Sequence, residues 1–518
     1  MSKQVSIIIP ACNEESTLPG VLSSCQQLDP HEIIVVANGC TDRTVEIARK
    51  FNCQIIVESL ALGNDVGRMI GARQATGEIL LFLDADFAIN PSELREMLRP
   101  LLTGSVDVIL NDFDFLFKEK KFPHSTTIWR QVFNELLGRK ELGIDSVLSV
   151  PHAFTRQVLE LIGVESLANP IVAQMKLITG GFRIAHDYGI DVIRLNRFRP
   201  EEHATSSAIL SRSEKRIIGD HLEALSISSA LQSTRGGFPD GGRRRDIVRE
   251  IQNGQRTLTV YPGWGTQRSS LYRGQQVSVI IPAQNEQFTI GDVIKNVRKI
   301  EPKEVLVIVN GSTDQTERIA RQCGATTIVV EEPLGNDVGR AIGAEFATGD
   351  ILLFLDGDFV LEPEQLFPFT QAIARGKHVA LNDLNYYLTL RLPLNFVTAL
   401  KYAINLAANR KELGVGSLVA VPHALSRTAL DHIHWTALVS PVLAQMKAML
   451  SPPLQIECVH LVDVDRINRI RPDQHFATEG YPPAVDRIIG DHLEALSYLI
   501  KREGQRGVFK QNYRRLPH

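Results

Sequence analysis

Ile79-Leu80-Leu81-Phe82-Leu83-Asp84-Ala85-Asp86-Phe87 is a run of large apolar residues that ends in two carboxylates one residue apart. It occurs a second time as Ile351-Leu352-Leu353-Phe354-Leu355-Asp356-Gly357-Asp358-Phe359, with Gly357 in place of Ala85. Five apolar residues bounded by polar ones predict a strand buried on both faces, as in a parallel sheet. In an open α/β sheet the ligand crevice lies beyond the carboxyl ends of such strands, so the four acids fall where a ligand sits. Two acids at a tight turn repel each other unless a cation lies between them, and their hard oxygens suit Mg²⁺ or Mn²⁺. One Asp-x-Asp is as consistent with an ordinary surface turn. The same pair closing the same buried strand twice points to a metal site.

Working outward, the chain reads as one module written twice. Pro10 matches Pro282, Asn38-Gly39 matches Asn310-Gly311, and Gly63-Asn64-Asp65-Val66-Gly67-Arg68 matches Gly335-Asn336-Asp337-Val338-Gly339-Arg340, all at an offset of 272. The offset then slips to 271 for Asn111-Asp112 with Asn382-Asp383 and for Val150-Pro151-His152-Ala153 with Val421-Pro422-His423-Ala424. Residues 216–225 are identical to 487–496. These matches divide the chain into an N-terminal domain 1–231, a linker 232–274 and a C-terminal domain 275–518. The linker, marked by Gly241-Gly242-Arg243-Arg244-Arg245, shows no partner in the repeat and one short helix near 246–252. Within each copy, strand patterns alternate with helices of roughly ten residues, which predicts βαβ units and a mostly parallel, three-layer α/β sheet. The later part of each copy reads as more helical.

With 518 residues, 44% hydrophobic, 22% charged and a net charge of −3, the chain lacks the bulk basic surface of a nucleic-acid binder. No apolar run approaches the length that spans a bilayer, and because Met1-Ser2-Lys3-Gln4-Val5 leads straight into a strand pattern no signal peptide is expected. The six cysteines show no paired spacing, so a reduced, cytoplasmic protein is expected.

Four motifs follow one another in both copies. The first strand runs into Pro10-Ala11-Cys12-Asn13-Glu14 and Pro282-Ala283-Gln284-Asn285-Glu286, where Asn and Glu either cap the next helix or accept a ribose hydroxyl. Next come Asn38-Gly39-Cys40-Thr41-Asp42 and Asn310-Gly311-Ser312-Thr313-Asp314, then the Gly-rich helix starts with Arg68 and Arg340, then the acid pairs. In this order the motifs resemble the nucleotide-sugar-binding half of family 2 glycosyltransferases and their GT-A fold relatives, over roughly the first 100 residues of each copy. The resemblance implies two tandem GT-A domains and a nucleoside diphosphate sugar as donor. It places that donor on Pro10, Asn13, Glu14, Asn38, Asp65 and Asp84, and on Pro282, Asn285, Glu286, Asn310, Asp337 and Asp356. It also implies Mn²⁺ or Mg²⁺ at Asp84, Asp86, Asp356 and Asp358, with Arg68 and Arg340 adding positive charge beside the catalytic Asp86 and Asp358. Where the family carries Asp-Asp before the Gly, this chain has Ala37-Asn38 and Val309-Asn310, so the resemblance carries no preference for uracil.

Later in each copy, Asn196-Arg197-Phe198-Arg199-Pro200-Glu201-Glu202-His203 answers Asn468-Arg469-Ile470-Arg471-Pro472-Asp473-Gln474-His475, and each His follows the second Asp of its acid pair by 117 residues. That fixed spacing makes His203 and His475 candidate third metal ligands, since imidazole suits Mn²⁺. Here the chain is similar, more loosely, to the retaining GT-A enzymes glucosyl-3-phosphoglycerate synthase and mannosylglycerate synthase. Arg197, Arg199, Arg469 and Arg471 either hold a small anionic acceptor by bidentate pairing or form a solvated basic turn. His152 and His423 are expected on the acceptor side, His221 and His492 on a helix surface. No clear carboxylate base is visible, which favours retention; inverting transfer, or a binding protein with little turnover, are the alternatives. Fusing two such modules, each with the same helix 216–225 or 487–496, leads us to expect an intramolecular pseudo-dimer with a pseudo-two-fold axis.

Overall fold

Ile79–Phe82 of the run form the strand that its composition predicts, and the first sheet extends to both sides of it. The computed structural model describes residues 3–63, 65–118, 123–196, 200, 206, 208–228, 231, 233–265, 269–390, 392–466, 474, 476–478, 480–510 and 514–516. His203, His475, Arg197, Arg199, Arg469 and Arg471 lie outside these. The chain forms two compact units: one of Met1–Ala230, Arg391–Phe396 and Glu503–His518, the other of Leu231–Leu390 and Val397–Arg502.

The first unit contains strands β1 (Val5–Ala11), β2 (Glu32–Asn38), β3 (Gln54–Glu58), β4 (Ile79–Phe82), β5 (Val108–Ile109), β6 (His152–Thr155) and β7 (Ile184–Ala185). They lie in the order β3-β2-β1-β4-β6-β5-β7. All pairings are parallel except those of β6, which runs against both β4 and β5. The second unit contains β8 (Thr259–Tyr261), β9 (Val277–Ala283), β10 (Glu304–Asn310), β11 (Thr326–Val330), β12 (Ile351–Phe354), β13 (Val379–Asn382), β14 (His423–Ser426) and β15 (Ile456–His460). Their order is β15-β13-β14-β12-β9-β10-β11-β8, with β14 reversed in the middle and β8 antiparallel on β11 at the edge. Both copies thus form the mostly parallel α/β sheet expected of tandem GT-A domains.

The three-layer build follows from the apolar runs. Alternate residues of a strand point to opposite faces. Ile7, Ile9 and Leu81 pack with Leu18, Leu22 and Leu98 on one face, while Ile8, Leu80 and Phe82 pack with Val66, Met69 and Leu177 on the other. A strand wetted on one side would have needed a polar residue at every second position.

Two features were not legible in the chain. No strand is predicted at the Val-Pro-His-Ala motif, yet His152–Thr155 and His423–Ser426 are reversed strands, their first residues paired with Phe82 and Phe354. Four residues beside a proline carry too little alternation to signal a strand. The stretch read as linker also supplies an edge strand, β8, besides the expected short helix Arg245–Gln252. Among the described residues no helix is long and apolar enough to cross a membrane.

The helix Val66–Gln74 lies close to the sheet because glycines face it. A Cβ on Gly71 would come within 2.6 Å of Ile8 Cγ2, and one on Gly67 within 2.8 Å of Pro10 Cβ. Gly343 meets Ile280 in the same way in the second copy. This approach sets Arg68, on the first turn, over the end of β4. Gly71→Val should therefore overpack the contact with Ile8 and Val36 and cost about 1–3 kcal/mol. The expected result is a lower urea midpoint with an unchanged slope; a variant as stable as the unsubstituted chain would mean that the helix does not sit this close.

Candidate active site

β1 and β4 end at the same edge of the sheet, where the Leu83 amide donates to the Ile8 carbonyl at 3.1 Å as the last rung of the ladder. The chain then turns, and Asp84 and Asp86 follow. Arg68 reaches over this edge. Its Nη2 donates to Asp84 Oδ1 at 3.0 Å and its Nη1 to Asp65 Oδ1 at 3.2 Å. Arg216, from the helix Arg212–Ile227, takes the other oxygen of Asp65 at 3.3 Å. The second copy repeats the design: Arg340 Nη2 donates to Asp356 Oδ1 at 2.6 Å, and Arg340 also pairs with Asp337. There the other Asp337 oxygen accepts from Arg243 Nη2 at 2.6 Å.

The side chain of Arg68 is only 8% exposed. Burial alone would pull its guanidinium down, but Asp84 and Asp65, with Asp86 behind them, outweigh that and hold it above its ordinary value. Arg340 is raised in the same way by Asp356 and Asp337 against its burial. Each acid pair therefore stands beside a permanently charged, immobile cation.

In the first unit these groups border a cavity of about 550 Å³ that is lined by Pro10, Glu14, Asn38, Asp65, Arg68, Asp84 and Asp86 among others. Asn13 is not part of the lining. It adopts a left-handed backbone (φ 57), and its Oδ1 accepts from the amides of Thr41 at 2.7 Å and Asp42 at 3.3 Å, pinning the turn after β2. Asn285 does the same for Thr313 at 2.8 Å. Asn38 both accepts from the Leu62 amide at 2.7 Å and donates to the Gly63 carbonyl at 2.8 Å. An aspartate could accept from the first but not donate to the second, which is a physical reason for Asn where the family carries an acid.

The model of the family described as Glycosyl transferase family 2 matches residues 6–161 and 278–391, just over half of the chain and one stretch in each copy. The chain belongs to this family. It is 29% identical over 171 residues to glycosyltransferase AglE of Haloferax volcanii, a match covering 31% of this chain and 55% of that protein. With glucosyl-3-phosphoglycerate synthase of Mycolicibacterium smegmatis it shares 34% identity over 106 residues, covering 18% of this chain and 34% of the relative. The chain thus spans little more than half the length of the first relative and about a third of the second. Among solved structures, the glucosyl-3-phosphoglycerate synthase of Mycobacterium tuberculosis in complex with Mn²⁺, uridine diphosphate and phosphoglyceric acid aligns at 21% identity with a TM-score of 0.34, covering 46% of this chain and 81% of that one.

Both family-matched stretches contain the acid pair and the arginine that holds it. Two cations of the cavity wall, Arg130 and Arg216, were not read from the sequence as site residues. Arg130 lines the far wall with its guanidinium 5.8 Å above the Phe113 ring. Burial pulls it down to about 10, opposed by Asp145. The signal was present, since the aligned position of the second copy is Lys401, a cation again.

The histidines correct two expectations. His152 is fully buried in β6, stacked on Phe82 at 4.9 Å between ring centroids, with Nδ1 bonded to the Ser149 carbonyl at 2.8 Å. His423 stacks on Phe354 in the same way, so neither ring lines an acceptor site. His221 and His492 are buried too, 0% and 1% exposed, instead of lying on a helix surface. Ile218, His221, Leu222 and Leu225 share one helical stripe, and the imidazole fills a place in it, edge-on to Phe133. Burial, aided by Arg68 at His152, depresses His152, His221 and His423 from 6.5 to about 3, and burial depresses His492 to about 4.

The sign of the pH effect follows. The unfolded chain binds protons at these rings below 6.5 while the folded chain does not, so stability is complete above that pH and is lost as pH falls toward 3. Each ring should contribute a slope of about 1.4 kcal/mol per pH unit in that window. Denaturation at pH 7, 6, 5 and 4 should show the fall, and His221→Gln should make it shallower; the same slope in that variant would mean that the buried ring titrates normally.

Proposed function

We propose that the chain is a metal-dependent glycosyltransferase that moves a sugar from a nucleoside diphosphate sugar to a small anionic acceptor, with one site in each copy. The observation that carries this reading is the doubled triad of acid pair, buried arginine and second aspartate at the carboxyl edge of a parallel sheet. Membership of the family and the curated relatives named as glycosyltransferases support it.

Among the described residues no cluster of three or more His, Cys, Asp or Glu side chains could hold a metal ion. Two carboxylates nevertheless fit Mg²⁺ or Mn²⁺, which are commonly bound through one or two carboxylates together with substrate phosphates and water. Asp84 with Asp86, and Asp356 with Asp358, would hold the ion, and His203 and His475 are proposed to join them. When bound, such an ion supplies neutralisation of the charge that develops on the leaving diphosphate.

The protein's own share is orientation and fixed charge. By binding one oxygen of Asp84, Arg68 fixes that carboxylate's rotamer, and its charge favours a dianionic leaving group in the same crevice. Glu14, which lines the cavity together with Pro10, is proposed to accept a ribose hydroxyl. Arg130, which burial holds below its ordinary value but leaves charged at neutral pH, favours an anionic acceptor as its partner, with Arg197 and Arg199 as further anchors. Among the described residues the carboxylates lining the cavity are Glu14, Asp65, Asp84 and Asp86, all at the donor edge. That placement favours retention over inversion.

A screen of nucleoside diphosphate sugars for Mn²⁺-dependent hydrolysis and transfer, with product stereochemistry read by NMR, tests the reading. Asp86→Ala and Asp358→Ala should each remove one of two nucleoside diphosphate sites in a calorimetric titration while leaving the denaturation midpoint in place. The double variant should lose transfer by about 100-fold or more. Full transfer in the double variant would exclude the mechanism.

A further inference from the structure

The stretch Arg235-Gly236-Gly237-Phe238-Pro239-Asp240-Gly241-Gly242-Arg243-Arg244, read above as unrepeated linker, has a counterpart in Arg506-Gly507-Val508-Phe509-Lys510-Gln511-Asn512-Tyr513-Arg514-Arg515 at the same offset of 271. The likeness is weak in composition and strong in contacts. In the second unit Arg235 Nη1 donates to Asp491 at 2.7 Å and Glu494 at 3.0 Å, and its Nη2 to the Arg487 carbonyl at 3.2 Å. In the first unit Arg506 Nη1 donates to Asp220 at 2.5 Å and Glu223 at 2.6 Å, and its Nη2 to the Arg216 carbonyl at 3.1 Å. Arg243 adds a second fork on Asp491, as Arg514 does on Asp220 and Glu223. The match extends to the backbone: the Arg244 amide donates to the Leu334 carbonyl at 2.9 Å, and the Arg515 amide to the Leu62 carbonyl at 2.8 Å.

The helix segment that is identical in the two copies is thus the receptor for these arms. Gly219 belongs to it for the same reason, since a Cβ there would come within 2.7 Å of Arg506 Nη2. What distinguishes the arms is where the chain delivers them. The arm 235–244 follows the last helix of the first copy, Arg212–Ile227, yet belongs to the second unit. The arm beginning at 506 follows the last helix of the second copy, Pro483–Glu503, yet belongs to the first unit. Each ends on the loop that borders a donor site. Leu62 lies between Ala61 and Gly63, both on the cavity wall, and its amide is already held by Asn38. In the second unit the arm goes further, through Arg243 to Asp337 and so to Arg340 and Asp356.

We infer that the two arms are exchanged positioning elements: the C-terminal arm sets the donor loop beside Asp84, and the arm between the copies sets the one beside Asp356. What the loops position rests on the transferase reading; the crossed assignment of arm to loop does not. Hydrogen exchange in the full chain, read on peptides covering 60–66 and 332–338 without substrate, separates the two. Arg506→Ala/Arg514→Ala should speed exchange at 60–66 about tenfold or more and leave 332–338 unchanged, while Arg235→Ala/Arg243→Ala should do the reverse. Single Arg514→Ala, which leaves Arg506 on its helix, serves where the double variant does not fold. Exchange loosened in the loop of the copy that each arm follows, or unchanged in both loops, would overturn the inference. In an Asp358→Ala background, Arg506→Ala/Arg514→Ala should also raise the donor KM about tenfold with a smaller change in kcat, and Arg514→Lys should restore little of it because an ammonium cannot fork. A chain that shows the crossed exchange pattern but binds no nucleoside diphosphate would confirm the arms and refute the transferase reading.

Discussion

The buried guanidinium between Asp65 and Asp84 is the constraint on which the rest of the first unit depends. A charge at that depth is tolerable only with carboxylates on both sides, and removing one partner from such a pair leaves an uncompensated charge, at a cost of about 3–5 kcal/mol. The cluster therefore needs the helix start carrying Asp65 and Arg68 and the strand end carrying Asp84 to be brought within hydrogen-bond reach. Gly67 and Gly71 allow it, because a side chain at either would hold the helix off β1. The acid pair is thereby oriented before any ligand arrives.

The same triad in the second unit is Asp337, Arg340 and Asp356, but its outer support differs. Asp65 takes its second cation from Arg216, a residue of the helix, whereas Asp337 takes it from Arg243, a residue of the arm. Arg243 is wholly buried and uses its guanidinium on Asp240, Asp337, Asp491 and the Asn336 carbonyl. Burial would raise Asp337, and Arg340 and Arg243 reverse that, holding it below the usual carboxylate range. The two copies have kept the inner charges and varied the way these are braced.

Duplication also explains a sequence identity that burial alone does not. Ile218, Leu222 and Leu225 would tolerate exchange for other apolar residues of similar volume. Gly219, Asp220 and Glu223 would not, because the arginine forks of the arm meet each of them in a fixed geometry. A stretch in which core and polar demands alternate has little freedom to drift.

The sequence by itself determined the class of sheet, the doubling and the position of the acid pairs, because these depend on local periodicity and on spacing along the chain. Five apolar residues ending in Asp-x-Asp specify a buried strand and what lies beyond it wherever the rest of the chain goes. It did not disclose the reversed strands at His152 and His423, the burial of His221 and His492, or the approach of Arg130 to the cavity. Each of those depends on what lies across the fold: a histidine on a helix stripe is read as polar until Phe133 is found against it. The arms show the limit most plainly. Their repeat was in the sequence throughout, at the same offset as its neighbours, but two arginines eight residues apart carry almost no signal. Only the tertiary structure, by placing each arm on the equivalent two acids and the equivalent loop carbonyl of its own unit, decided that they are one element and which unit each serves.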